Sequence, residues 1–210
     1  MVAPILERCG LKTAGGLMLE LGCGAGRMTG SFARRHGGVI AVDLSAEMLR
    51  RAARIHESSW NILWLRVGGA NLACLKSETV DFVFSYLVLQ HLPSEELVQG
   101  YVEEMLRVLR PGGIFLFQFN GSNVPTMNWR GRMAWGVVDA LWSSRMAPLS
   151  RAAATLMGLD ARAARKTWRG AAVGAERMAK MVESSGGEIR DVAGKKTPMA
   201  WCCGTKRAHT

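Results

Sequence analysis

Leu19-Glu20-Leu21-Gly22-Cys23-Gly24-Ala25-Gly26-Arg27 is the stretch on which the fold turns. An apolar strand end runs directly into three glycines at alternate positions, and a helical pattern follows. Glycine at a strand-to-helix turn permits positive φ and lets a ligand approach backbone N–H groups that a Cβ would shield. The stretch therefore marks a nucleotide-type cofactor site. A dinucleotide fingerprint spaces its glycines G-x-G-x-x-G. Here the third glycine comes one residue early and Arg27 stands at the sixth position, which disfavours a dehydrogenase. Seventeen residues after Gly26, the apolar run Val39-Ile40-Ala41-Val42 ends in Asp43, a carboxylate suited to accept both hydroxyl protons of a ribose. Leu44 and Met48 follow, able to sandwich a purine face or simply to pack the next helix.

Outward from this loop the chain reads as α/β. Short apolar runs at Leu17 to Leu21, Val39 to Val42, Ile62 to Arg66, Asp81 to Ser85 and Ile114 to Phe119 alternate with amphipathic stretches, as parallel strands joined by helical crossovers require. Leu97, Val98, Tyr101, Val102, Met105, Leu106 and Leu109 recur at helical spacing, with Ser94 as N-cap and Pro111-Gly112-Gly113 as a stop. A helix near Ala175 to Ser184 precedes Glu188 to Val192 and Met199 to Gly204, which read as a terminal hairpin. Residues 123–170 differ in character, with Trp129, Trp135, Trp142 and Trp168 among eight basic and only two acidic residues. They read as a helical insertion.

At 210 residues, 49% hydrophobic and 21% charged, the chain fits one folded domain and excludes a disordered or fibrous class. No apolar run reaches the ~20 residues that span a bilayer, so the expectation is a cytoplasmic protein. Cys9, Cys23, Cys74, Cys202 and Cys203 have no metal-ligand spacing and are expected to be reduced thiols, with no metal site. The net charge of +10 favours anionic partners without choosing among nucleic acid, lipid and acidic small molecules.

Together the Glu20 to Arg27 loop, the Asp43 strand end, Asp81-Phe82-Val83-Phe84-Ser85 with Leu89-Gln90-His91-Leu92-Pro93, and the Leu109 to Gly113 turn resemble the class I S-adenosylmethionine-dependent methyltransferases, small-molecule subgroup. The resemblance covers most of the chain. It implies a Rossmann-like, seven-stranded, mostly parallel sheet with an antiparallel last strand and helices on both faces. It also implies one domain over residues 1–210, with 123–170 as a substrate cover. S-adenosylmethionine is then the cofactor. Gly22, Cys23, Gly24 and Gly26 would line its methionine end, Glu20 would support its ammonium group and Asp43 would hold the ribose. Leu44, Met48, Ala70, Asn71 and Leu72 would flank the adenine, although Asn71 stands where the family usually has an acid. Ser85 would lie at the cofactor's edge of the fourth strand.

A sulfonium methyl is already activated, so the resemblance leaves the protein mainly to orient an acceptor for direct in-line displacement. For a hydroxyl acceptor the general base would be His91, and Tyr86 could orient the substrate. Each has a plain alternative, loop support for His91 and packing for Tyr86. His36, His56 and His209 read as surface residues, and Cys23 as a small packing residue. Adjacent Cys202 and Cys203 should point to opposite faces. Trp135, Val138, Trp142 and Met146 share one helical face, which would suit an apolar or aromatic acceptor or pack on the domain. The arginines of the insertion would suit an anionic one or form a solvated face. Residues 1–16 are shorter than the N-terminal segment usual in the family, implying a truncated start or an open site. Two other readings stay open: an RNA or other macromolecule methyltransferase, despite no recognisable nucleic-acid motif, and a cofactor-binding protein without turnover.

Overall fold

The computed structural model describes residues 2–68, 71–122, 149, 152, 153, 156 and 170–208. A seven-stranded sheet runs in the order β3-β2-β1-β4-β5-β7-β6. Its strands are β1 (Leu17–Leu21), β2 (Gly38–Asp43), β3 (Ile62–Arg66), β4 (Val80–Ser85), β5 (Leu109–Phe119), β6 (Gly187–Ala193) and β7 (Ala200–Lys206). The first five pair in parallel, and β7 is antiparallel to both β5 and β6. The chain winds outward from β1 to β3, then restarts at β4 on the other side of β1. That reversal opens a crevice between the carboxyl ends of β1 and β4, where open α/β sheets bind ligands.

Helices α1 (Val2–Arg8), α2 (Thr29–Ala33) and α3 (Ala46–Ile55) cover one face of the sheet, while α4 (Glu95–Val108) and α5 (Ala175–Ser184) cover the other. Alternation along each strand feeds two cores. Leu19, Val83, Phe115 and Phe117 meet Val102, Met105 and Met178, whereas Met18, Phe82, Phe84 and Leu116 meet Leu6, Phe32 and Leu49. Cys202 and Cys203 do point to opposite faces, one into each core.

Sequence signals become bonds at the helix ends. Ser45 accepts from the Met48 N–H at 3.3 Å, and Ser94 from the Leu97 N–H at 3.4 Å. Glu95 and Glu96 then sit in the first turn of α4 and Arg107 in its last, each sign matching the helix dipole. One boundary is corrected. The Leu109 to Gly113 segment is not only a turn, because Leu109 already pairs with Val80; a register shift between Val80 and Phe82 and a positive φ at Gly112 absorb the extra chain. The helical insertion predicted at 123–170, with its Trp and Met stripe, lies almost wholly outside the described residues.

The β3–β4 connection is tied to α4 by a polar clasp. Glu104 accepts from the Leu72 N–H at 2.7 Å and binds Arg107 at 2.6 Å; Arg107 donates to the carbonyls of Leu72 and Leu75 at 3.0 and 2.9 Å. Arg107→Ala is expected to cost about 1–3 kcal/mol in urea denaturation, the range for leaving part-buried acceptors unmatched. The Leu72 amide should then exchange faster while amides of β1 keep their protection. Equal exchange at Leu72 in both proteins would contradict the clasp.

Candidate functional site

The glycine loop is held from two sides. Gly22 and Cys23 donate their N–H groups to the carbonyl of Val42 at 2.8 and 3.0 Å, which seats the start of the loop on β2. Gly24 donates to one carboxylate oxygen of Asp43 at 2.8 Å, while the other accepts from the Ser45 N–H at 2.8 Å. The Gly26 carbonyl accepts from His56 Nε2 at 2.8 Å, so that ring nitrogen carries its proton. Positive φ at Gly22, Gly24 and Gly26 makes this path open to glycine. A Cβ on Gly22 would run into the Val88 side chain, and one on Gly26 would meet the His56 ring at 2.9 Å. A Cβ on Gly24 would meet nothing within 4 Å, which leaves open space at the loop's tip.

Two histidines read as surface residues are therefore corrected. His56 is half-buried, stacks on Trp64 and bonds the loop; His36 is 6% exposed, stacks on Phe82 and donates through Nδ1 to the Gly15 carbonyl at 2.9 Å. Burial holds the His36 pKa below its ordinary value, so it stays neutral. Neither pairing is local in sequence, so no spacing signal announced them. His209 lies outside the described residues.

Glu20, Gly24, Arg27, Tyr86 and Leu87 face one another across a cavity of about 330 Å³ at the carboxyl end of β1 and β4. Glu20 is 4% exposed and accepts from the Thr29 hydroxyl at 2.5 Å. Burial raises its pKa to about 7, with the Thr29 hydrogen bond opposing the rise. No cation among the described residues pairs with it. Cys23 beside it is pushed up to about 12, by burial first and then by the charges of Glu20 and Asp43, so its thiol is inert and the packing reading fits it. On the far wall Tyr86 stacks on Trp201 with ring centroids 5.4 Å apart, and the Arg27 guanidinium lies 5.7 Å from the Tyr86 ring centre. A larger concavity of about 700 Å³ between α5 and β6 includes none of the predicted site residues, so the smaller one is the candidate.

Other predicted residues are distributed around this centre. Leu44 and Met48 are 59% and 39% exposed, an uncovered apolar surface just past Asp43. Asn71 accepts from the Ala73 N–H at 3.1 Å, which turns its own loop, and Leu72 is fully buried. Ala70 is outside the described residues. The buried Ser85 hydroxyl donates to the Leu21 carbonyl at 3.2 Å and so ties β4 to β1. His91 closes a 3-10 turn (Leu89–His91), its Nε2 lying 3.1 Å from Gln90 Nε2. Sequence reasoning missed Thr29, at the start of the helix that follows the loop, and His56 and Trp201, which packing brings in from distant elements.

Comparison with known proteins places these features in company. Residues 19–117 match a family profile described as a methyltransferase domain. The chain is 30% identical to a ubiquinone biosynthesis O-methyltransferase of Xanthomonas oryzae over 141 residues, 66% of this chain and 54% of that protein. It is 32% identical to phosphoethanolamine N-methyltransferase 1 of Zea mays over 103 residues, 48% of this chain and 20% of that one. It thus spans from about a fifth to about half the length of these relatives. Among solved structures, an N-methyltransferase of Bradyrhizobium japonicum in complex with S-adenosyl-L-homocysteine shares the fold with a TM-score of 0.62, at 16% identity over 98% of this chain and 85% of that one.

The raised pKa of Glu20 has a consequence for stability. Its folded-state value of about 7 exceeds the ordinary 4.5, so the native state holds this proton more tightly than the unfolded chain. Its contribution is fully present below about pH 4.5 and falls as pH rises through about 7, by an amount on the order of 3 kcal/mol. Glu20→Gln, which copies the protonated form, should flatten that decline in urea denaturation curves taken across the window. A variant with the same slope as the wild type would contradict the assignment.

Proposed function

We propose that the chain is a class I S-adenosylmethionine-dependent methyltransferase, which moves a methyl group from that cofactor to a small-molecule acceptor by direct in-line displacement. The observation that carries the reading is a buried carboxylate, Glu20, facing the glycine-loop cavity with no cation from the described residues beside it. An amino-acid ammonium supplied by the cofactor would complete that site. The Gly24 tip gives the open approach such a ligand needs, and Asp43, its two oxygens set by backbone N–H groups, keeps lone pairs for ribose hydroxyls. Leu44 and Met48 offer the adenine an apolar surface. When bound, the cofactor supplies a methyl group activated by its sulfonium.

The chain's own task is then positioning and exclusion of water. Glu20 takes up the ammonium as a carboxylate, releasing its proton, and Tyr86, backed by the buried Trp201 ring, forms with Arg27 a wall suited to a flat or anionic acceptor. Orientation of this kind yields effective molarities of about 10⁵ M or more, without a covalent enzyme intermediate. Residues 123–170 are proposed as the acceptor cover of a single domain. The named relatives act on a ubiquinone precursor and on phosphoethanolamine, which supports a small-molecule acceptor over a nucleic acid.

Calorimetric titration with S-adenosylmethionine and S-adenosylhomocysteine tests the reading. Saturable binding of both is expected, weakened at least about 100-fold by Asp43→Ala, since two hydrogen bonds to a charged group are lost. Equal affinity of wild type and variant, or no binding by the wild type, would overturn it.

A further inference from the structure

Gln118, at the end of β5, is fully buried and belongs to no part of the cofactor cavity, yet it joins three segments around it. Its Oε1 accepts from the Leu87 N–H at 3.1 Å. Its Nε2 donates to the Pro198 carbonyl at 2.9 Å, the Phe119 carbonyl at 3.1 Å and Gln90 Oε1 at 2.6 Å. Three of these partners are main-chain groups whose polarity is fixed, a donor on one side and two acceptors on the other. The amide of Gln118 consequently has one permitted orientation, and its NH₂ group must face Gln90.

The same logic passes down the line. Two NH₂ groups cannot hydrogen-bond each other, so Gln90, 3% exposed, must turn its oxygen to Gln118 and its NH₂ to the next group. That group is Nε2 of His91, 3.1 Å from Gln90 Nε2. A nitrogen that accepts from an amide NH₂ bears no proton, so the neutral ring carries its proton on Nδ1.

We propose that Gln118 is a positioning residue that acts through Gln90 to lock His91 as the Nδ1–H tautomer. This deepens the methyltransferase reading and rests on it for its catalytic meaning. The Nε2 lone pair, which a general base would use, is then engaged by Gln90. The lock also restrains Leu87, which adopts φ 60° in the wall of the cofactor cavity and owes its N–H partner to Gln118. His91 is then not poised to remove a proton from an acceptor through Nε2.

Two-bond ¹⁵N–¹H correlation spectra of the full chain, recorded at alkaline pH, read the tautomer directly. His91 is assigned by its loss in His91→Gln. Wild type should show a protonated Nδ1 and an unprotonated Nε2. Gln90→Glu presents a carboxylate oxygen to Nε2 while still accepting from Gln118, and should reverse the pattern. Gln118→Met, which keeps volume but removes the fixed polarity, should abolish the single tautomer and give averaged shifts. A wild-type proton on Nε2, a Gln90→Glu spectrum identical to wild type, or an unchanged tautomer in Gln118→Met would each overturn the proposal. Cofactor affinity from the titration above is a separate readout, so loss of the relay and loss of the cofactor reading are distinguishable.

Discussion

The carboxylate of Asp43 holds this site together. Its two oxygens take N–H groups from different elements, Gly24 in the loop after β1 and Ser45 at the start of α3. Charge-assisted bonds of this kind are short and directional, and together they fix the tip of the glycine loop against the end of β2. His56, the residue that ends α3, grips the same loop at the Gly26 carbonyl. One ten-residue helix thus lies as a bar across the loop, clamping it from both of its ends. The glycines are required twice over, for their positive φ and because the Val88 side chain and the His56 ring fill the space a Cβ would need at Gly22 and Gly26. Only at Gly24 is that space left open, and it opens toward the cavity.

Around this clamp the fold does two opposed things. The two cores on either face of the sheet bury most side chains of the central strands β1, β4 and β5 and of β7, which is where its stability comes from. At the carboxyl edge the same burial is turned against a charged group, since Glu20 sits in the β1 wall with one hydroxyl for company. A carboxyl kept near its midpoint at neutral pH is costly in an empty site and useful in a binding one, because an incoming ammonium converts the desolvated acid into a paired carboxylate. Binding should therefore release a proton. On the far wall Tyr86 is held between its stacking contact with Trp201 and the Arg27 guanidinium.

Much of this was legible in the residues. The alternation of apolar runs and amphipathic stretches gave five parallel strands, four of them within a residue of their observed bounds, and Ser94 read correctly as a cap because capping is local. The loop and Asp43 stood out through their glycine spacing and an apolar run that ends in a carboxylate. What the sequence hid was non-local. His36 and His56 looked like surface residues, since nothing in their neighbourhoods reveals that Phe82 and Gly26 will lie against them. Gln90 and Gln118 are 28 residues apart, and no spacing links them; their opposed amides become informative only when β5 sets them side by side. Leu109 to Gly113 read as a turn because Pro and Gly usually punctuate, while the sheet recruits Leu109 through a bulge.

The central claim is that the glycine loop, the Asp43 strand end and the Tyr86–Leu87 turn form one cofactor pocket. Amide chemical-shift mapping of the ¹⁵N-labelled chain on addition of S-adenosylhomocysteine tests it most directly. The account predicts that the large, saturable changes fall on Gly22 to Arg27, Asp43 to Met48, Asn71 and Ser85 to Leu87, with β6 and α5 unmoved. Changes centred on the groove between α5 and β6, with the glycine loop silent, would contradict it.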